Sequence, residues 1–263
     1  MRPRPAILVS LAVGLVLLAT LLGTACTASR TAATPAPTPS TPPLVYVAVG
    51  ASESVGVGAT DPHRNAWTQV FFRTALPRSA AFVNMAVPGS TVAEALAAQV
   101  PDAVALSPNV VTVWLNVNDI LHGVTPALYE ADLTRLVTAL RRGGATKVLV
   151  ANTPPLDDLP AYRACLPGAT ATATQRAPCP VSGALAGALP APATLNAVVD
   201  AYNAAIARVA AATGAVLVDL HAAGLTARQN GTEASLVSSD GFHPSDAGHA
   251  LVVKTFAAAY AGK

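Results

Sequence analysis

The sequence predicts an α/β protein, a three-layer α/β/α sandwich around a central parallel sheet of about five strands. Three observations predict it. Short β-branched apolar runs recur along the chain between Gly, Asn and Pro, as strands buried on both faces require. Helical stretches separate these runs at the spacing of βαβ units with right-handed crossovers. Small and polar residues gather just after the strands, at the carboxyl edge where open α/β sheets bind ligands.

Taken in order, Leu44 to Val49 is the first strand, and Gly50-Ala51-Ser52 forces a tight turn that leaves Ser52 at the strand's carboxyl end. Asn65 to Leu76 follows as a helix, with Ala66, Trp67, Val70, Phe71 and Ala75 on its stripe. Ala80 to Ala86 reads as the second strand. It runs into Val87-Pro88-Gly89-Ser90-Thr91, where Ser90 or Thr91 caps a helix reaching Gln99. Gly89 thus lies in another strand-to-helix turn. Asn109 to Leu115 is the third strand and ends in Asn116-Val117-Asn118-Asp119, polar groups that need turn partners or a ligand. Pro126 to Arg142 is an amphipathic helix closed by Gly143-Gly144, and Lys147 to Ala151 is the fourth strand.

Asn152 to Pro192 breaks the rhythm, being rich in Pro, Ala and Thr; it reads either as a functional excursion such as a lid or as a surface insertion. Ala193 to Thr213 is helical with Gly214 as its stop, Ala215 to Leu220 is the fifth strand, and the last helix runs from Ser245 or Asp246 to Tyr260. Parallel strands bring their terminal turns to one edge. Ser52, Gly89 and Asn118 are therefore expected together.

The 263 residues are 52% hydrophobic and 11% charged, so the chain can bury a full core. A formal net charge of +2 gives no footprint for nucleic-acid binding. Residues 1–25 read as a signal peptide: Arg2 and Arg4 precede an uncharged run from Pro5 to Ala25. Gly23-Thr24-Ala25-Cys26 resembles the lipobox of bacterial lipoproteins, with Gly23 where leucine is usual, which makes Cys26 a lipidation site and the membrane a partner. Cleavage by an ordinary signal peptidase after Ala25, or retention as an uncleaved anchor, are the alternatives. All three place the rest of the chain outside the cytoplasm. Residues 26–43 form a Thr/Pro/Ala-rich linker, and residues 44–263 one domain. In an oxidising compartment its two cysteines, Cys165 and Cys179, are expected to pair, a loop closure that stabilises by about 3 kcal/mol. They supply too few ligands for structural zinc, and no metal or cofactor is implied.

Asp240 and His243 lie three residues apart across a glycine-containing turn, a spacing that lets a carboxylate hold the imidazole. A base so oriented takes the proton of a serine hydroxyl. Asp219 and His221 are a second close pair, read as structural on a strand. His249 is placed facing solvent on the last helix, Glu53 is read as solvated, and His63 and His122 lie in turns without an adjacent acid.

Together these blocks resemble the SGNH or GDSL hydrolases over nearly the whole domain. Gly50-Ala51-Ser52 matches the family's Gly-Asp-Ser block, Gly89 its glycine block, Asn116-Val117-Asn118-Asp119 its Gly-x-Asn-Asp block, and Asp240 to Pro244 its Asp-x-x-His-Pro block. The resemblance implies a flavodoxin-like fold, Ser52 as nucleophile, His243 as base, Asp240 as its orienter, and an oxyanion hole of Ser52, Gly89 and Asn118. It implies an esterase, lipase or deacetylase acting on small-molecule, glycan or lipid esters, expected here as a monomer. An acyltransferase and a non-catalytic binding protein are the rival readings. Ala51 in place of aspartate is expected to change how the turn is braced, and Asn116 in place of glycine to add bulk near the pocket.

Overall fold

The computed structural model describes residues 42–167 and 189–262. Five strands, β1 (Val45–Gly50), β2 (Ala81–Asn84), β3 (Val110–Trp114), β4 (Lys147–Ala151) and β5 (Val216–Val218), form one sheet in the order β2-β1-β3-β4-β5. Every pairing is parallel. The chain winds first to one side of β1 and then to the other, so a topological switch point falls between β1 and β3. A crevice opens at the carboxyl ends of strands at such a point.

Alternation along the strands decides what each face buries. Val47, Val49, Val111, Val113, Val148 and Val150 pack against Ala95 of α4 (Val92–Ala98), Ala103 of α5 (Val100–Ala105), Leu136 of α7 (Pro126–Arg141) and Ile206 of α9 (Pro192–Thr213). Their neighbours Tyr46, Ala48, Trp114, Leu149 and Ala151 face the opposite layer, where α3 (Trp67–Ala75), which follows the one-turn α2 (Pro62–Asn65), and α11 (Asp246–Tyr260) contribute Trp67, Phe71 and Phe256. Trp67 stacks on Phe256 with ring centroids 4.3 Å apart. These two clusters make the three layers.

Local chemistry sets the helix starts. Thr91 and Glu94 form a reciprocal capping box at α4, and Ser245 Oγ accepts the Gly248 N–H at α11. Two helices differ from the sequence expectation. The helix expected to end at Gln99 is followed at once by α5, with Pro101 in its first turn. The fifth strand is shorter than expected, because Asp219 accepts the Ala222 N–H and caps α10 (Leu220–Gln229). Asp219 and His221 are thus a cap and a helical residue, not a strand pair. His221 is tied down by Asn152 and Thr153, which accept from its backbone N–H and meet its Nδ1 at 2.9 and 3.0 Å.

His249 does not face solvent. It is fully buried: Nδ1 accepts the Trp67 N–H at 3.4 Å, and Nε2 donates to Val57 O at 3.2 Å. Burial holds its pKa below the ordinary histidine value, consistent with a neutral ring that joins α11 to α3 and to the loop after β1. Asn116 is also buried, its amide 3.4 Å from Ala151 O, so it adds its bulk between β3 and β4. The segment between β4 and α9 includes a short helix, α8 (Pro160–Ala164). Cys165 ends it and is buried, while Cys179, its expected partner, lies outside the described residues, as do Cys26 and the rest of residues 1–41.

Candidate active site

Ser52 opens α1 (Ser52–Val55), a single helical turn directly after β1. Its backbone N–H therefore lies among the unpaired donors of a helix start. The chain then passes Gly58, whose φ is +91°. A Cβ there would lie 2.3 Å from Pro244 O and 2.9 Å from the His243 Cβ, so glycine is what lets the histidine turn approach the serine turn. Thr60 secures the approach, donating its N–H and Oγ1–H to the Asp246 carboxylate at 3.0 and 2.6 Å.

The histidine turn is built around one carboxylate. Asp240 Oδ1 accepts from Ser238 Oγ at 2.7 Å, Phe242 N at 2.8 Å and His243 N at 2.9 Å. Its Oδ2 accepts from His243 Nδ1 at 2.6 Å. Partial burial pushes the Asp240 pKa up, but these four donors together outweigh it and hold it at about 2. With Nδ1–H committed to Asp240, His243 Nε2 is left as an acceptor, and the Ser52 hydroxyl lies 3.0 Å from it. Ser52, His243 and Asp240, the residues expected as nucleophile, base and orienter, thus meet from sites about 190 residues apart in the chain, at hydrogen-bond distances.

Glu53 is buried, contrary to the solvated position expected for it, and its Oε2 lies 3.4 Å from Ser52 Oγ. Burial raises its pKa, against its backbone N–H, the His243 ring and the Ser52 hydroxyl, which favour ionisation. A one-turn helix has too few residues for periodicity to show which side chains it buries.

On the other side of Ser52, Gly89 sits in a turn with φ +83°, where no Cβ would meet a neighbour, so it is the backbone angle that favours glycine. Among the described residues neither the Ser52 nor the Gly89 N–H meets an acceptor. Asn118, in α6 (Val117–Leu121), donates its side-chain amide to Ser90 O at 3.1 Å, which draws the third strand's turn to the second's. Asp119 reinforces this by accepting the Val92 N–H at 3.1 Å; burial pushes its carboxyl up to about 6 against that bond.

Sequence reasoning missed Gln99. Its buried side chain accepts the Gly50 N–H at 3.0 Å and donates to Gly50 O at 3.0 Å and Ser90 Oγ at 3.2 Å. It extends the sheet's hydrogen bonding where β2 has ended, and it joins the Ser52 turn to the turn carrying Gly89. With Ala51 unable to hydrogen-bond through its side chain, Gln99 is the brace of this turn. Gln99→Leu is expected to lower kcat by roughly ten- to a hundredfold with KM little changed, and stability by about 1–3 kcal/mol. Steady-state ester hydrolysis and denaturant unfolding measure the two effects.

These geometries can be set beside known proteins. Residues 48–251 match the model of the GDSL-like lipase/acylhydrolase family. No curated protein matches the chain by sequence. Among solved structures, the lipase/acylhydrolase from Enterococcus faecalis superposes with a TM-score of 0.59 at 18% identity, covering 83% of this chain and 96% of its own. TesA gives 0.58 at 20% identity, over 82% of this chain and 97% of its own. A mutant of Axe2, an acetyl-xylooligosaccharide esterase from Geobacillus, gives 0.57 at 20% identity, over 82% and 93%. At such identities the structures share the fold. The family-model match extends from β1, just before Ser52, into α11, just beyond His243, and on that match the chain belongs to the GDSL-like lipase/acylhydrolase family.

Proposed function

We propose that the protein is a serine hydrolase that cleaves carboxylic esters through an acyl-enzyme on Ser52. The observation that carries this reading is the continuous relay Ser52 Oγ, His243 Nε2, His243 Nδ1, Asp240 Oδ2, with links of 3.0 and 2.6 Å. In the first half-reaction Ser52 Oγ attacks the ester carbonyl while His243 Nε2 takes its proton. The imidazolium, stabilised by Asp240, returns that proton to the departing alkoxide as the C–O bond breaks. In the second half, His243 deprotonates a water that attacks the acyl-enzyme, and collapse gives back the Ser52 hydroxyl and releases the acid. On this reading the N–H groups of Ser52 and Gly89, which meet no acceptor among the described residues, and the Asn118 amide receive the tetrahedral oxyanion, and each such donor typically contributes on the order of 10² to 10³ in rate.

The same proposal places the enzyme outside the cytoplasm. The charged-then-apolar leader and the cysteine after Gly23-Thr24-Ala25 support export and lipid anchoring at Cys26, with a Cys165–Cys179 disulfide closing the segment after β4. Among the described residues no helix is long and apolar enough to cross a membrane. Acylated glycans fit a surface-held hydrolase, and a structural neighbour acts on acetylated xylooligosaccharides.

Rapid mixing with a chromogenic ester tests the acyl-enzyme. The expected result is a burst of alcohol equal to the enzyme concentration, followed by a slower steady phase, when deacylation limits turnover. Added methanol is expected to divide the acyl group between acid and methyl ester in the same ratio for every leaving group. A ratio that varies with the leaving group would contradict a common acyl-enzyme.

A further inference from the structure

Beside the relay lies a cavity of about 120 Å³ whose walls start at Glu53 and His243, the two side chains among the described residues within hydrogen-bond reach of Ser52 Oγ. Beyond them the lining turns apolar. Leu156, Leu159 and Phe242 form one side, and the buried residues Trp114, Leu220 and Val252 close it toward the core. Arg228 fixes the walls in place: its guanidinium pairs with Asp157 beside Leu156 at 2.9 Å and with Glu233, another lining residue, at 2.8 Å. Asp158 lies 3.3 Å from the same guanidinium, so three carboxylates share this cation, and the walls are held by ion pairs before any substrate arrives.

We infer that this cavity is the acyl subsite and that the enzyme selects uncharged acyl groups of short to medium length, longer than acetyl and shorter than the chains of membrane lipids. The inference rests on the hydrolase reading above. An apolar cavity of about 150 Å³ elsewhere accepts a benzene ring. One of 120 Å³ beside the nucleophile has room for a chain of comparable bulk. The acyl group is the part of the ester that suits a partly enclosed site. It stays bonded to Ser52 between the half-reactions, whereas the alcohol must leave after taking its proton from His243. A chain ending in a carboxylate would have to shed its hydration among apolar side chains and beside Glu53, with Arg228 already engaged.

The test is kcat/KM for acetyl, butyryl, hexanoyl, octanoyl and dodecanoyl esters of one fluorogenic alcohol, with the hemisuccinyl ester as a charged partner to butyryl. Each methylene that enters the cavity is expected to raise kcat/KM by roughly fourfold, the equivalent of about 0.8 kcal/mol. The values should climb from acetyl to a maximum at butyryl or hexanoyl and fall by dodecanoyl, with hemisuccinyl at least roughly tenfold below butyryl. Ala223 and Leu251 line the cavity from α10 and α11. Ala223→Phe should lower the hexanoyl-to-acetyl ratio by roughly tenfold or more, and Leu251→Ala should move the maximum to a longer chain. Because each variant is read as a ratio within one preparation, partial loss of folded protein does not affect the result. Acetyl turnover with no rise along the series, a dodecanoyl value equal to the best, or ratios unmoved in both variants would overturn the acyl-subsite inference while leaving the hydrolase reading in place. Absence of turnover for every ester would overturn both.

Discussion

His243→Ala is expected to lower kcat for ester hydrolysis by about 10⁶, and Ser52→Ala by a similar factor. The reason lies in the relay: the Ser52 hydroxyl has the His243 Nε2 at 3.0 Å as its base, and Glu53, the other group in reach, is farther at 3.4 Å and is pushed by burial toward its neutral form, which does not accept a proton. In the proposed mechanism nucleophile and base act in one step, so the double variant should lose little more than either single one. Additive losses in steady-state kinetics would mean that the two side chains do not act together. The imidazole side chain is only 19% exposed and is bonded to Asp240, so His243→Ala should also lower stability, by about 1–3 kcal/mol, and denaturant unfolding gives the folded fraction on which its kcat is read.

Asp240→Asn is expected to cost about 10⁴ in kcat while leaving the turn folded. Three donors converge on Oδ1, from Ser238 Oγ and the Phe242 and His243 backbone N–H groups. An asparagine keeps those bonds only by placing its carbonyl oxygen there. Its NH₂ then faces His243 Nδ1, which must become an acceptor, and the ring proton moves to Nε2. An imidazole protonated at Nε2 has no lone pair for the Ser52 proton. Nitrogen chemical shifts of the ring should report the tautomer change directly, separating it from a loss of folding. Acid has a different effect. Asp240 at about 2 stays ionised where most carboxylates protonate, so the acid limb of kcat/KM should not follow this carboxyl. Its folded value lies below the unfolded one, so the stability it contributes is present above pH about 4 and is lost as pH falls toward 2.

Much of this architecture could be read from the chain, because the sheet is buried on both faces and its strands are plain apolar runs. Lys147–Ala151 is bounded as expected, and β1 and β3 lie within a residue or so of expectation. The carboxyl-edge turns followed from parallel topology alone. What was not legible depended on tertiary partners. The run from Ala215 to Leu220 is interrupted by Asp219 directly after the strand, and that side chain, held by Asn152, caps α10. Gln99 carries no motif, since its partners Gly50 and Ser90 are brought to it by the fold. His249 did leave a signal. It falls at helical spacing with Val252, Val253 and Phe256, all buried, so the stripe of α11 places it in the core despite its polarity. Pro101 likewise marked the start of a second helix where one had been expected to end.

If His243 activates Ser52 as a nucleophile, a fluorophosphonate probe added to the folded protein should modify one residue, Ser52, as peptide mapping by mass spectrometry will show. Labelling should be abolished in Ser52→Ala and strongly slowed in His243→Ala. Labelling of a different serine, or equal labelling of Ser52 with and without His243, would contradict that activation.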